Sequence, residues 1–350
     1  MIKVPDLCMQ SVVFLCTDET DDDNKIVRTP QATGFFVSVP LTQDVWIEYL
    51  VTARHCIEMA IPYGKLYVRC NLKTGVYKDI VTSPKDWYYH PLADVAAIPI
   101  PCIKLDKETA QSLDHKGMML DFLIDNPPHY DYDYSWGDET QRMRPDVGHD
   151  VCFVGLFSQH HGQEKNLPIA RFGHIAMMPS RVRMKLPNDI EFNSTAYLIE
   201  CQAWGGNSGS PVFSMFPILL RNRYTLGKTI VVIKDVTLSW SFKLLGILNA
   251  HYPNIQKSKA VNKIYKDEIE VKTDLNSGIA VVTPAEAIRE LLIENEELKE
   301  QRDKLLKDHE KNMPMPILDF RQPEVFTQQD FEDALKKVSR RVKPEKSAEG

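Results

Sequence analysis

The chain has 350 residues, 43% of them hydrophobic and 26% charged, the balance of a soluble globular protein with a sizeable core. Lys and Arg number 42 against 48 Asp and Glu, a net charge of −6, so the basic footprint of a nucleic-acid binder is missing. No apolar run approaches the roughly 18 residues that span a membrane, and "MIKVPDLCMQ" lacks the apolar centre and cleavage signature of a secretory leader.

The first hundred residues read as short strands with loops between them. "SVVFLC" (Ser11–Cys16), "TGFFVSV" (Thr33–Val39), "WIEYLVTA" (Trp46–Ala53), "KLYVRCNL" (Lys65–Leu72) and "DVAAIPI" (Asp94–Ile100) are rich in β-branched and aromatic residues. Turn-forming clusters separate them, including the acidic "DETDDDN". Strands at this spacing suggest a sandwich or barrel. Residues 102–147 break the pattern. "DNPPHYDYDYSWGDETQRMRPDVG" is polar, aromatic and proline-bearing, and reads as a long surface connection. Strands resume in "DVCFVGLF" (Asp150–Phe157), "ARFGHIAMM" (Ala170–Met178), "AYLIECQ" (Ala196–Gln202) and "SPVFSM" (Ser210–Met215). They continue in "TIVVIKDVTL" (Thr229–Leu238), "KLLGILNAH" (Lys243–His251) and "GIAVVTP" (Gly278–Pro284).

At Pro284 the composition changes. "PAEAIRELLIENEELKEQRDKLLKDHEK" opens on proline, with acids early and bases late, as a helix prefers. Leu291, Leu298 and Leu305 recur every seven residues. That pattern suits a helix packed on its own body, or a homodimer or regulatory-partner surface over residues 284–311. "TQQDFEDALKKVSRR" offers Thr327 as an N-cap, and "VKPEKSAEG" reads as a disordered end. The domain organisation expected is 1–101, 102–147 as connection, 148–283, and 284–350 as helical extension and tail.

Seven cysteines are scattered through the chain (Cys8, Cys16, Cys56, Cys70, Cys102, Cys152, Cys201), with no C-x-x-C pair. This argues against zinc and against a disulfide framework, and points to a reduced, cytoplasmic protein. His90, His160 and His161 have no metal partners by spacing. The cluster Asp131, Asp133, Asp138 and Glu139 lacks the glycine-punctuated order of a calcium loop. No metal and no cofactor is expected.

Three stretches carry chemistry together. In "LVTARHC", His55 follows an apolar strand. In "HPLADVAAIPI", Asp94 opens another. In "AWGGNSGSPVF", Ser208 lies in a bare glycine turn. A serine hydroxyl is a poor nucleophile until a base takes its proton, and imidazole titrates in the right range. A carboxylate then fixes the imidazole tautomer and stabilises its charged form. The glycines let backbone N–H groups converge on a developing oxyanion.

The order His, Asp, Ser is that of chymotrypsin-like proteases. "TARHC" resembles the T-A-x-H-C box of trypsin-like serine peptidases, "DVAAI" their aspartate strand, and "GNSGSP" their G-D-S-G-G-P. The resemblance covers about Ser11 to Ala287 and implies an all-β fold of two six-stranded barrels, followed here by the α-helical extension. It implies Ser208 as nucleophile, His55 as general base and acid, and Asp94 as its orienting partner. It implies an oxyanion hole from the N–H groups of Gly206 and Ser208. Gln202 would form the floor of the specificity pocket, with Asn249, His251 and Gly278 along its walls. The departures are Asn207 in place of an aspartate, Trp204 in place of a cysteine, and Asn249 in place of a serine. Intracellular bacterial trypsin-like peptidases look similar in lacking the disulfides. The implied activity is a serine endopeptidase acting on proteins or peptides, narrow in specificity and regulated, in a stress or defence setting. The alternative is a catalytically silent scaffold or protein-binding module that acts through its helical extension.

Overall fold

The computed structural model describes residues 3–21, 23–42, 45–103, 107–120, 145–185, 191–226, 229–261 and 268–312. Within these, residues 102, 107, 184–185, 191–192, 217–239, 250–276 and 308–312 are described by their backbone alone. The Asp131–Glu139 cluster and the Thr327 helix signal lie outside the described residues.

The N-terminal half begins with helix α1 (Asp6–Gln10) and is otherwise built of strands. These are β1 (Val12–Thr20), β2 (Ile26–Pro40), β3 (Trp46–Thr52), β4 (Leu66–Asn71), β5 (Tyr77–Thr82), β6 (Tyr88–Tyr89) and β7 (Ala96–Pro99). Helix α2 (Arg54–Glu58) follows β3 directly. The strands form one sheet in the order β5-β4-β1-β2-β3-β7-β6. The strong β-formers of β1 through β4 are also its most buried residues, with Phe14, Phe35, Phe36, Tyr49 and Leu50 essentially inaccessible.

The connection expected over 102–147 has structure of its own. Helix α3 (Lys107–Ser112) leads to strand β8 (Met118–Met119), which pairs in parallel with β2 through Val37 and Ser38. A two-residue strand is too short to leave a period in the sequence.

The second half is a closed barrel. Its strands are β9 (Asp150–Gly155), β10 (Ile169–Lys185), β11 (Glu191–Glu200), β12 (Pro211–Leu226), β13 (Thr229–Val261) and β14 (Glu268–Pro284), in the order β10-β11-β14-β13-β12-β9. Val151, Phe153, Tyr197, Ile199, Val212, Leu245, Leu248 and Val282 fill its interior. The segments 229–238 and 243–251, expected as two strands, are one continuous strand. Its first part pairs with β12 and its second with β14, and the register shifts near Leu248 and His251. Such bulges let one long strand bend while keeping its partners.

The all-β, two-sheet architecture with a C-terminal helix is therefore what the chain adopts. After β14, Pro284 opens helix α4 (Ala285–Arg289), a wider turn follows over Glu290–Glu294, and helix α5 spans Glu296–Asn312. The break has a local cause. Asn295 is extended and its Oδ1 accepts from Leu298 N at 3.0 Å, the N-cap chemistry for which asparagine is favoured. Leu291 and Leu298 are buried in the chain's own body, while Leu305 is half-buried in the terminal piece. The chain divides into a body, Met1–Asp303, and a terminal piece from Lys304. No helix among the described residues is long and apolar enough to cross a membrane.

Candidate active site

Strand β3 ends at Thr52, and α2 turns sharply away from it, which delivers His55 to the rim of the first sheet. Asp94 lies in the turn before β7, and β3 pairs with β7 from Tyr49–Pro99 to Thr52–Ala96. That register sets the two side chains side by side. His55 Nδ1 stands 2.7 Å from Asp94 Oδ2, and the His55 backbone N–H donates to Asp94 Oδ1 at 2.9 Å. Both residues are buried, so the pair is shielded from water.

Asn249 completes the carboxylate's surroundings. Its Nδ2 donates to Asp94 Oδ2 at 2.5 Å, and its Oδ1 accepts from Thr283 N at 2.9 Å. The side chain is fully buried. Asn249 therefore faces Asp94, not an open specificity pocket.

Burial by itself would push the His55 imidazole below its ordinary value. The adjoining Cys56 sulfur and the Asp94 carboxylate outweigh that and hold it well above 6.5. Asp94 shows the complementary balance: burial favours its neutral form, but His55 and Asn249 keep it below the usual carboxylate range.

Ser208 is carried by a turn whose glycines have distinct reasons. Asn207 N donates to Trp204 O at 3.1 Å, and Gly206 has φ +91°. This is the arrangement of a type II turn, whose third residue needs a left-handed backbone. A Cβ at Gly206 would also lie 2.9 Å from Leu156 Cδ2. At Gly209, φ is +84° and a Cβ would fall 2.0 Å from Thr33 O. Gly205 has open space around it. Asn207 closes the turn from inside: its Oδ1 accepts from Trp204 N at 2.7 Å and its Nδ2 donates to Leu156 O. Among the described residues the N–H groups of Gly206 and Ser208 have no hydrogen-bond partner, as donors awaiting an oxyanion require.

Thr33, on β2 of the first sheet, ties this turn to the histidine side. Its N–H donates to Ser208 O at 2.9 Å and its Oγ1 donates to Gly206 O at 2.9 Å. The same Oγ1 accepts from Leu156 N at 3.0 Å, and Thr33 O accepts from Thr52 Oγ1 at 2.7 Å. Nothing in the sequence pattern singles out Thr33; only the assembled sheets reveal it.

The Ser208 hydroxyl donates to Asn249 O at 2.7 Å. His55 Nε2, the nitrogen that would serve it, has Cys56 Sγ at 3.5 Å. Gln202 and Gly278 do meet, in an open cleft of about 520 Å³ that also includes Asp150, Phe172, His174, Glu200 and Met215. Neither Ser208 nor His55 lines that cleft. His251 is paired with Ala280 across β13 and β14, and its side chain lies outside the described ones.

No protein-family model matches the chain, and no curated protein sequence does. Among solved structures, the MamO protease domain from Magnetospirillum magneticum (apo form) is similar at 12% identity and a TM-score of 0.40, over 81% of this chain and 96% of that one. The Rv3671c protease from M. tuberculosis, in its active form, is similar at 13% identity and a TM-score of 0.40, over 81% of this chain and 80% of that one. At these values neither likeness carries an argument about this chain.

Proposed function

We propose that the chain is a serine endopeptidase in which Ser208 attacks the scissile carbonyl. His55 takes the serine proton and returns it to the leaving amine, and Asp94 holds the His55 tautomer with its proton on Nδ1. The observation that carries this reading is the buried His55–Asp94 pair at 2.7 Å, in one hydrogen-bonded assembly with the Ser208 turn through Asn249. A polar pair so placed costs free energy to bury, and a structural role does not call for a serine on a type II glycine turn beside it. The carbonyl oxygen would collect its developing charge against the Gly206 and Ser208 N–H groups. Water, activated by His55, would then release the acyl-enzyme. The substrate is a protein or peptide, and the chemistry calls for no metal or cofactor.

One observation favours a regulated enzyme, or a silent scaffold. The Ser208 hydroxyl is committed to Asn249 O, and His55 Nε2 faces Cys56 Sγ. Proton transfer to His55 requires that hydroxyl to give up its bond to Asn249 O. Labelling with a fluorophosphonate separates the readings, since only an activated serine reacts. The endopeptidase reading expects wild type to label and Ser208→Ala not to, while casein or a peptide library is cut by wild type alone. No labelling of the folded wild type under any condition that binds peptide would favour the scaffold.

A further inference from the structure

The loop that presents Asp94 is held by a histidine outside the triad. His90 Nδ1 accepts from two backbone donors, Leu92 N at 3.1 Å and Ala93 N at 2.8 Å. A nitrogen that accepts twice carries no proton, so the neutral ring holds its proton on Nε2. Nε2 stands 2.8 Å from Glu290 Oε2 and donates to it. The His90 backbone N–H donates to Val95 O at 3.0 Å, which closes the loop around Asp94. His90 O in turn lies 3.4 Å from Arg54 Nη1, on the residue just before His55. His90 is buried, while the Glu290 carboxylate is partly exposed.

Glu290 belongs to the turn after the second barrel, 200 residues from His90. That turn is anchored on the first sheet independently. Leu291 and Leu292 are buried, Arg302 Nη1 donates to Tyr49 OH at 3.2 Å, and Arg302 Nη2 donates to Ile293 O at 2.9 Å. A carboxylate so fixed selects the tautomer and orientation of the imidazole it meets, and the imidazole here selects the path of two peptide groups next to Asp94.

We propose that His90 and Glu290 are positioning residues for Asp94, so that the C-terminal extension sets the geometry of the triad. This rests on the serine-peptidase reading above. The extension is then more than a cover for apolar surface. A change at Glu290 reaches His55 through one imidazole, two peptide N–H groups and one carboxylate.

The test uses the full chain carrying Glu290→Ala, Glu290→Gln, His90→Gln or His90→Asn. Two quantities are read: the rate of Ser208 labelling by a fluorophosphonate, and the downfield proton resonance between His55 Nδ1 and Asp94 in ¹⁵N-histidine-labelled protein. Small misplacements of catalytic groups cost up to about 100-fold. Glu290→Ala and His90→Gln are expected to slow labelling roughly 10- to 100-fold and to broaden or shift the resonance. Glu290→Gln still accepts from Nε2–H and is expected to stay near wild type. His90→Asn keeps an acceptor where Nδ1 lies and is expected to lose less than His90→Gln. If Glu290→Ala and His90→Gln leave both rate and resonance as in wild type, the proposal is overturned. A slower rate with an unchanged resonance overturns it too, because the effect would then not pass through Asp94. If wild type does not label under any condition that binds peptide, the peptidase reading fails, and the resonance alone decides whether His90 and Glu290 position Asp94. Thermal melts confirm that each variant is folded, and the partly exposed Glu290 gives the variants least prone to misfold.

Discussion

At the scale of single residues, the chemistry concentrates on His55 and what surrounds it. Its imidazole is held above 6.5 by Cys56 and Asp94 against the opposing effect of burial. On the proposed reading His55 is a general base, which works only when neutral, so the reaction of Ser208 with an electrophile should rise with pH through a midpoint above 6.5, not below it. Cys56→Ala removes one of the two raising influences and should move that midpoint towards acid. A pH series of labelling rates measures both. A wild-type midpoint at or under 6.5, or one that Cys56→Ala leaves in place, would contradict the assigned balance. Asn249→Ala makes a second test. It deletes the amide that bonds Asp94 and strands the Thr283 N–H, at a cost of about 1–3 kcal/mol in stability. The loss of activity should exceed what that destabilisation explains. His55, Asp94 and Ser208 stand out in the sequence because each sits in a short stretch of distinctive composition, and the structure sets His55 against Asp94. Asn249 was legible as a departure, but not its service to Asp94. Thr33 and His90 were not legible, since their work lies in backbone bonds to segments far away in sequence.

Elements explain why the turn around Ser208 cannot be redrawn freely. The sequence reading gave its three glycines one catalytic reason, and the structure separates them. Gly209 is required by packing, with a Cβ position only 2.0 Å from Thr33 O and a φ of +84°. Gly206 is required by its backbone and by Leu156. Gly205→Ala should fold and melt like wild type, because its surroundings are open. Gly209→Ala should be lost to misfolding or melt far lower, since αL strain alone costs about 1–3 kcal/mol before the clash is counted. Equal melting temperatures for the two variants would show that the turn is not built as described. Thr33→Val keeps shape but removes the hydroxyl that bridges Leu156 N and Gly206 O. It should cost about 1–3 kcal/mol and slow Ser208 labelling, because a buried N–H loses its acceptor and the Ser208 turn its anchor. Strand existence was readable from β-branched and aromatic runs. The unity of β13 was not, because "SWSF" between its two halves looks like a break while the strand pairs with β12 straight through it and turns to β14 only from Gly246.

On the scale of the whole molecule, the two sheets share one body with the helical residues up to Asp303. The described cysteines are free and buried, and burial pushes the thiols of Cys8, Cys16 and Cys201 up to about 12. Such thiols neither pair nor react readily, so melting should be the same with and without reductant. The two-sheet pattern and the helical end were visible in composition and period, but where the helix packs was not. Its heptad leucines allowed either a second copy or the chain's own body, and spacing alone cannot choose between them. The structure buries Ala285, Ile288, Leu291, Leu292 and Leu298. Full burial of each large aliphatic side chain contributes about 1.5–3 kcal/mol. Four such side chains approach the whole stability of an ordinary domain, about 5–15 kcal/mol. Deleting the chain from Ala285 onward should therefore abolish cooperative melting. The conclusion does not depend on so severe a change. Leu292→Ala in the full chain should cost about 2–5 kcal/mol, as other buried leucine truncations do. Glu300→Ala, on an exposed position of α5, should cost almost nothing by comparison. Denaturant melts of the two variants decide the matter. If Leu292→Ala proves as mild as Glu300→Ala, the extension is only loosely applied to the body, and its hold on the Asp94 loop loses its physical basis.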